Sequence, residues 1–556
     1  MYVDSSTITH KGKSYTRYLL RESYREQGKV KHRTLANLSA CSREEIDAMR
    51  LALHHKHDLT HLGTMHDHLT LKQGLSVGAL WLVHDIARQL GIVQALGATR
   101  AAKLALWQVI ARVIHQGSRL SAVRLAGMHA VCDVLSLTKF NEDDLYENLD
   151  WLCKQQSVIE DRLATKHAHR EKLAVFFYDV TSSYFEGDKN ERAAFGSNRE
   201  GKKGKQHIVL GLLCDVQGKP LSIELFAGNT QDPQTVAAQV RKVAERFGGG
   251  TVIFVGDRGM LKSQQIAELK QQGFDYITAI TKPQIGSLLK SGVLDMDVFH
   301  DEVREIITND GLRYILRRNP IRVQEIQKSR EEKAQAFEKA VAKQNRYLTE
   351  HPRAKVDVAL RKLNARCQQF KIAKWASVAA EDRVISISVD AKAKAEGAKL
   401  DGCYVLKTEL AKEQVAKEVI HDRYKDLALV AWAFRSCKTT HLEMRPIYVR
   451  LAKRTRAHAL VVMLAYHIIM ELRARWQPWN ITVEEGIEEL THLCSTEVHV
   501  KDKAPYHEIP APRDLSRQLL DAVQVRLPRV LPSQGIVVTT KKQLPQKRKS
   551  PSILRA

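Results

Sequence analysis

Two short apolar runs, each closing on an aspartate, constrain this chain more than anything else in it. LAVFFYDV (173–180) and TVIFVGD (251–257) are rich in β-branched and aromatic residues and are too short for buried helices, so both read as buried strands. HIVLGLLCDV (207–216) and PLSIELF (220–226) lie between them and read as two further strands parted by Gly218. PQTVAAQVRKVAERF (233–247) has helical spacing, and a helix over 261–272 and a strand FDYITAI (274–280) come after the second aspartate. The predicted order is β-β-β-α-β-α-β. Three antiparallel strands leading into α/β units give an α/β fold class, a mixed sheet flanked by helices.

Asp179 and Asp257 each sit where a strand's carboxyl end meets a loop, and this order lays the two strands side by side. Two carboxylates brought together repel, and a shared Mg²⁺ relieves the repulsion. Paired ions in such sites clamp the attacking and leaving oxygens of a phosphodiester. The ordinary alternative is that both residues are helix caps or turn formers, and Asp257 before Arg-Gly suits a turn. The formal net charge of +24 favours a polyanionic partner, nucleic acid first, over a merely basic soluble protein.

The remaining segments surround this core. Residues 13–36 read as two strands about Gly28 with outward Arg and Lys, and the pattern from 43 to about 170 is helical. Six histidines fall in HHKHDLTHLGTMHDH (54–68), a run more often a solvated loop or helix face than a metal site. Residues 320–373 read as a densely charged helical pair, with strands returning at 383–390 and 402–410 and helices over about 412–438 and 454–476. The expected division is an N-terminal DNA-binding region, 1–170, largely helical after a short hairpin. Then come a first core part (171–284), a mostly helical insertion (285–399), a second core part (400–478) and a C-terminal region with a basic tail (479–556). The eight cysteines form no Cys-x-x-Cys pair, which suits a reducing cytoplasm. No secretory leader is visible, and apolar runs such as 459–465 fall far below the ~20 residues needed to span a bilayer. A cytoplasmic protein with no membrane partner is expected.

Four stretches resemble the core of insertion-sequence DDE transposases: YDVTSSYFEG, the GLLCD-x-x-G-x-P-L run with F-x-GN after it (211–229), VGDRGM, and YKDLALVAWAFRSCKTTHLEMRPIYVRLAKRTRAH (424–458). The resemblance implies an RNase H-like core, and it covers most of 10–478. Family members carry Tyr, Arg, Glu and Lys on one helix with gaps of two, three and six residues. Here that frame meets Tyr424, Leu427, Ala431 and Lys438, so leucine replaces the arginine and alanine replaces the catalytic glutamate. Residues 424, 431 and 438 are two helical turns apart and share a face. A carboxylate at 431 would complete the metal site, and Ala431 cannot ligate anything. No acidic residue occurs from Leu427 through Leu442; Glu409, Glu413, Asp426 and Glu443 flank that gap.

The resemblance further implies metal-assisted hydrolysis at the transposon end, followed by in-line attack of the freed 3′-hydroxyl on target DNA. Asp179 and Asp257 would hold Mg²⁺, with Mn²⁺ as a substitute. Tyr424, Arg435 and Lys438 would face phosphate, although a basic helix end also simply complements the dipole. Arg445, Arg450, Arg454 and Arg456 would contact the DNA backbone. Trp432 is expected in the core rather than stacked on a base. The partners implied are double-stranded DNA, at the transposon ends and at the target, and a second copy of the chain. A binding protein or repressor derived from a transposase is the competing reading, and a nuclease of the same fold that cuts without strand transfer is a third.

Overall fold

The structure, a computed structural model, describes residues 1–10, 13–57, 69–167, 173–187, 189–197, 199–247, 251–438, 442, 444, 447–500, 504–532 and 534–542. The N-terminus forms an antiparallel sheet of β1 (Tyr2–His10), β2 (Lys13–Glu26) and β3 (Lys29–Asn37). The expected pair about Gly28 is β2 and β3. Their two-residue turn puts Gln27 at φ +47° and Gly28 at φ +78°, the left-handed backbone that such hairpins need. β1 is additional. β4 (Leu69–Ser76) lies apart from that sheet and pairs with a strand near the C-terminus.

The central sheet begins with β5 (Leu173–Tyr184), β6 (His207–Cys214) and β7 (Pro220–Ala227), joined as antiparallel neighbours. β8 (Thr251–Gly256) runs parallel to β5, and β9 (Asp275–Ala279) parallel to β8. This is the order anticipated from the apolar runs. The sheet extends further than anticipated. β10 (Arg304–Ile307) and β11 (Arg313–Arg318) fall inside the stretch 285–399 expected to stand apart as an insertion. They pair through β14 (Cys403–Thr408) onto β9, giving eight strands in the order β10-β11-β14-β9-β8-β5-β6-β7. What stands apart is smaller. Helices Pro320–Glu350 and Val356–Phe370 pack with the hairpin β12 (Ala376–Glu381) and β13 (Val384–Val389) around Phe337, Leu363 and Trp375.

Alternation along β5 and β8 sorts their side chains between two cores. Phe176, Tyr178, Val252 and Phe254 face the helices Asp232–Lys242 and Ser263–Gln271. Phe177, Ile253 and Val255 face the other way, into the large core shared with helices Ala428–Lys438 and Ala452–Trp476. The helix Ala452–Trp476, close to the 454–476 read from the sequence, is apolar and long enough to cross a membrane, yet 78% of its apolar window is buried inside the protein. It packs against the N-terminal helices Arg100–Ile114 and Glu142–His167 and against β7. The C-terminal strands β15 (Cys494–Val500), β16 (Tyr506–Glu508) and β17 (Val530–Leu531) form a sheet with β4. Residues 69–76 and the C-terminal segment are therefore woven into one sheet.

Candidate active site

Two glycines of the motif stretch 211–229 have local reasons. A Cβ on Gly211 would collide with the Tyr178 hydroxyl, one residue before Asp179. Gly218 takes φ +76° in the β6–β7 turn, where the Asp215 carboxylate accepts from the amides of Gln217 and Lys219, both at 2.9 Å. A Cβ on Gly218 would stand 2.7 Å from Leu429 Cβ, so this turn seats the helix Ala428–Lys438 on the sheet.

Register brings the two aspartates together. Tyr178 pairs with Gly256 as the last partners of parallel β5 and β8, so Asp179 and Asp257 are the next residue on each strand. Both continue the alternation of Phe177 and Val255 and lie toward the face that carries the helix Ala428–Lys438. Asp179 does not end its strand, as the sequence suggested, because β5 runs on to Tyr184 along β6. Burial pushes the Asp179 carboxyl up to about 6; the amide of Val180 and the Arg199 guanidinium oppose the rise, and Asp257 and Asp232 add to it. The Val180 amide donates to Asp179 Oδ1 at 2.8 Å, and the Arg258 amide donates to Asp257 Oδ1 at 2.7 Å. The Tyr424 hydroxyl also donates to Asp257 Oδ1, at 3.3 Å. Burial and the neighbouring Asp257 raise the Tyr424 pKa, so the phenol stays a donor.

The signature stretch is not one helix. It breaks at Leu427 into Lys417–Asp426 and Ala428–Lys438, with no Pro or Gly to account for the break. Both ends of the seven-residue frame still reach the site: Tyr424 touches Asp257, and Lys438 Nζ donates to Thr181 Oγ1 and the Ser182 carbonyl, each at 2.8 Å. Ala431 lies between them and is exposed, while Val430, Ala433 and Phe434 are buried. The acidic residues flanking the gap supply no substitute among the described residues. Glu409 is held by Lys270 at 2.6 Å and by the Tyr276 hydroxyl at 3.1 Å. Asp426 pairs with Arg423 at 3.1 Å, and Glu413 is exposed. Glu443 and Arg445 lie outside the described residues, as do residues 58–68 of the His-rich run and the tail beyond 542.

Several expected roles change. Lys438, expected at phosphate, is turned inward and also pairs with Glu200 at 3.0 Å, with side chains only 12% and 4% exposed. Arg454 is bound by Asp150 through two hydrogen bonds of 3.1 and 2.9 Å, and Arg456 by Gln156 and Glu224, so neither is a ready contact for a DNA backbone. Trp432, expected in the core, is 53% exposed, with the Arg435 and Arg473 guanidinium carbons 5.7 and 5.6 Å from its ring centroid. Arg450 is exposed. Three residues near the aspartates were missed. Arg199 pairs with Asp232 and donates to the Val180 carbonyl, and Glu200 accepts from the Tyr184 amide at 3.0 Å as well as holding Lys438. Asp232 follows the F-x-GN motif and could have been suspected from that position. Arg199 and Glu200 lie in a basic loop with no local pattern to mark them.

With these contacts in place, the matches to known sequences take on meaning. The pattern of the IS1634 family transposase N-terminal domain fits residues 3–61, and that of the transposase DDE domain fits residues 170–476, more than half of the chain. The chain belongs to the DDE transposases. No protein of curated function matches its sequence. The cryo-EM structure of a piggyBac transposase synaptic complex with hairpin DNA covers 70% of this chain and 69% of that one. At 9% identity and a TM-score of 0.37, that likeness is too loose to establish a shared fold. DDE transposases typically use a divalent metal, and this member offers two adjacent carboxylates for one. Among its described residues no group of three or more His, Cys, Asp or Glu is placed to hold an ion.

The raised Asp179 carboxyl makes a testable demand on this transposase. In metal-free buffer the penalty for ionising it is absent near pH 4, grows as pH rises, and is complete above about 6. Asp179→Asn should therefore stabilise the protein at pH 8 by about 2 kcal/mol, allowing for the group's partial exposure, and by no more than about 1 kcal/mol at pH 4.5. Urea unfolding at the two pH values checks this. An equal effect at both, or a loss at pH 8, would mean the carboxylate is well solvated.

Proposed function

We propose that this chain is an insertion-sequence transposase that grips the terminal inverted repeats of its element through its N-terminal region, 1–170, ahead of an RNase H-like core, and that its strand cleavage is disabled at Ala431. The observation that carries the reading is the β5–β8 register, which sets Asp179 beside Asp257 while Tyr424 and Lys438 engage the site on either side of Ala431.

The residues present fit one divalent ion. Asp179 and Asp257 would hold Mg²⁺, or Mn²⁺ in its place, and two carboxylates suffice for an ion that keeps several waters. A second ion lacks the ligand that a glutamate at 431 would provide. When bound, the metal supplies charge neutralisation at the scissile phosphate and a more acidic water. The chain's own groups do the rest. Asp179 sheds the proton that burial encourages it to keep. Tyr424 donates to Asp257 Oδ1 and so fixes that carboxylate's orientation. Lys438, through Glu200 and Thr181, pins the helix that carries position 431. Arg435, Arg450 and Trp432 are exposed and would face DNA. A homodimer follows from the need to hold two ends together, and eight unpaired cysteines suit a reducing cytoplasm.

Ala431 favours one second reading: a chain that occupies transposon ends without cutting them acts as a repressor of active copies. Both readings require end recognition. Gel retardation should show duplexes bearing the element's own termini bound at least about a hundredfold tighter than scrambled duplexes. Affinity should fall steeply with salt, and Mg²⁺ should produce little nicking. Equal affinity for termini and scrambled DNA would overturn the proposal.

A further inference from the structure

A cavity of about 810 Å³ lies away from the aspartates, between the N-terminal helices and the strap that follows the signature helix. The strap is anchored to the end of β5: the Ile447 amide donates to the Tyr184 carbonyl at 3.0 Å, and the Glu186 amide to the Ile447 carbonyl at 2.9 Å. Tyr184 is five residues beyond Asp179, on the order of 17 Å along the strand. From Ile447 the chain passes directly into the cavity wall through Tyr448, Val449, Arg450 and Leu451.

The cavity is cationic throughout. Arg112, Arg119, Arg450, Arg454 and Lys542 line it beside His458, and none of the lining residues among the described residues is acidic. Arg454 has Asp150 as its own counter-ion. Arg119 does not share that neutralisation. It is 6% exposed, its Nη2 contacts His458 Nδ1 at 3.0 Å, and its buried Nε has no hydrogen-bond partner. Arg112, also 6% exposed, donates to the Gly117 and Leu442 carbonyls at 2.9 and 3.4 Å. Burial, reinforced by Arg112, brings the Arg119 pKa down to about 9, and burial together with the same two arginines holds His458 neutral. Arg119 also opens the helix Arg119–Ala126, behind the Ser118 cap, where the macrodipole disfavours a cation. Folding has thus placed a buried cation beside another, at the positive end of a helix, with a donor left over. Such a group destabilises the fold until an anion joins it.

We infer that this cavity is a phosphate-binding site, sized for a whole nucleotide unit, with Arg119 as its buried anchor and Tyr146 and Tyr448 in its wall. The phosphate could come from a DNA strand leaving the catalytic aspartates or from a free nucleotide. The choice of DNA rests on the proposed function, whereas the site's preference for phosphate does not.

Calorimetric titration of the full chain tests this, with dTMP, thymidine and a ten-residue oligothymidylate as probes. One dTMP should bind per chain where thymidine does not, and Arg119→Gln should weaken it at least about tenfold, the loss of one charge-assisted hydrogen bond to a buried group. Arg119→Gln should also raise the melting temperature of the unliganded chain, which a purely structural arginine would not do. Arg450→Ala, at an exposed wall position, should weaken dTMP binding without altering stability, and this keeps the test valid if Arg119→Gln misfolds. Tighter binding of the oligothymidylate, lost in the same variants, identifies a DNA strand as the source; binding of dTMP alone identifies a free nucleotide. Equal binding of dTMP and thymidine, or dTMP affinity unchanged in both variants, would overturn the inference. Intact dTMP binding in a chain that fails to select transposon ends would sink the transposase reading alone.

Discussion

An Ala431→Glu chain is expected to cut a labelled transposon-end duplex in Mg²⁺ at least about a hundredfold faster than the parent chain. Loss of groups that merely orient a metal ligand costs roughly 10–100-fold, and loss of a ligand should cost more. The geometry favours restoration. Tyr424 and Lys438, seven residues to either side, already touch Asp257 and Thr181, and Ala431 is exposed between them, so a longer side chain has room. The substitution adds no buried charge and should leave the unfolding free energy within about 0.5 kcal/mol of the parent. Equal cutting by both chains would mean that another carboxylate completes the site.

Lys438→Met should destabilise the protein by about 3–5 kcal/mol. Glu200 is 4% exposed and accepts from Lys438 and the Tyr184 amide, so removing the lysine strands a buried carboxylate. Lys438→Met combined with Glu200→Gln should recover most of the loss, because no orphan charge remains. Urea unfolding of the single and double variants measures the coupling. A Lys438→Met chain that unfolds like the parent yet binds DNA poorly would restore the phosphate role implied by the resemblance and remove the structural one.

The core strands and both aspartates were legible in the sequence because buried strands write themselves as short apolar runs and their order limits which neighbours are possible. Register was not legible, yet it is what sets Asp179 beside Asp257. β10 and β11 were hidden in a stretch whose charged helices dominate its character. β4 and β15 pair residues more than 400 positions apart, and nothing local announces such a pairing. The signature spacing put Tyr424 and Lys438 on one face, and Tyr424 reaches Asp257 while Lys438 reaches Thr181, but spacing specifies a face and not a partner. Lys438 found Glu200, from a loop without a motif, and Trp432 found two arginines at the surface. Arg112 and Arg119 gave no hint of a shared cavity, since each reads as one basic residue in an amphipathic helix.

Binding of Mn²⁺ at pH 8, followed by electron paramagnetic resonance, tests most directly whether Asp179 and Asp257 form a metal site that Ala431 leaves incomplete. The parent chain should bind one ion weakly, Ala431→Glu should bind Mn²⁺ at least about tenfold tighter, and Asp257→Asn should abolish binding in either background. Mn²⁺ binding that survives Asp257→Asn, or that is indifferent to glutamate at 431, would contradict the account.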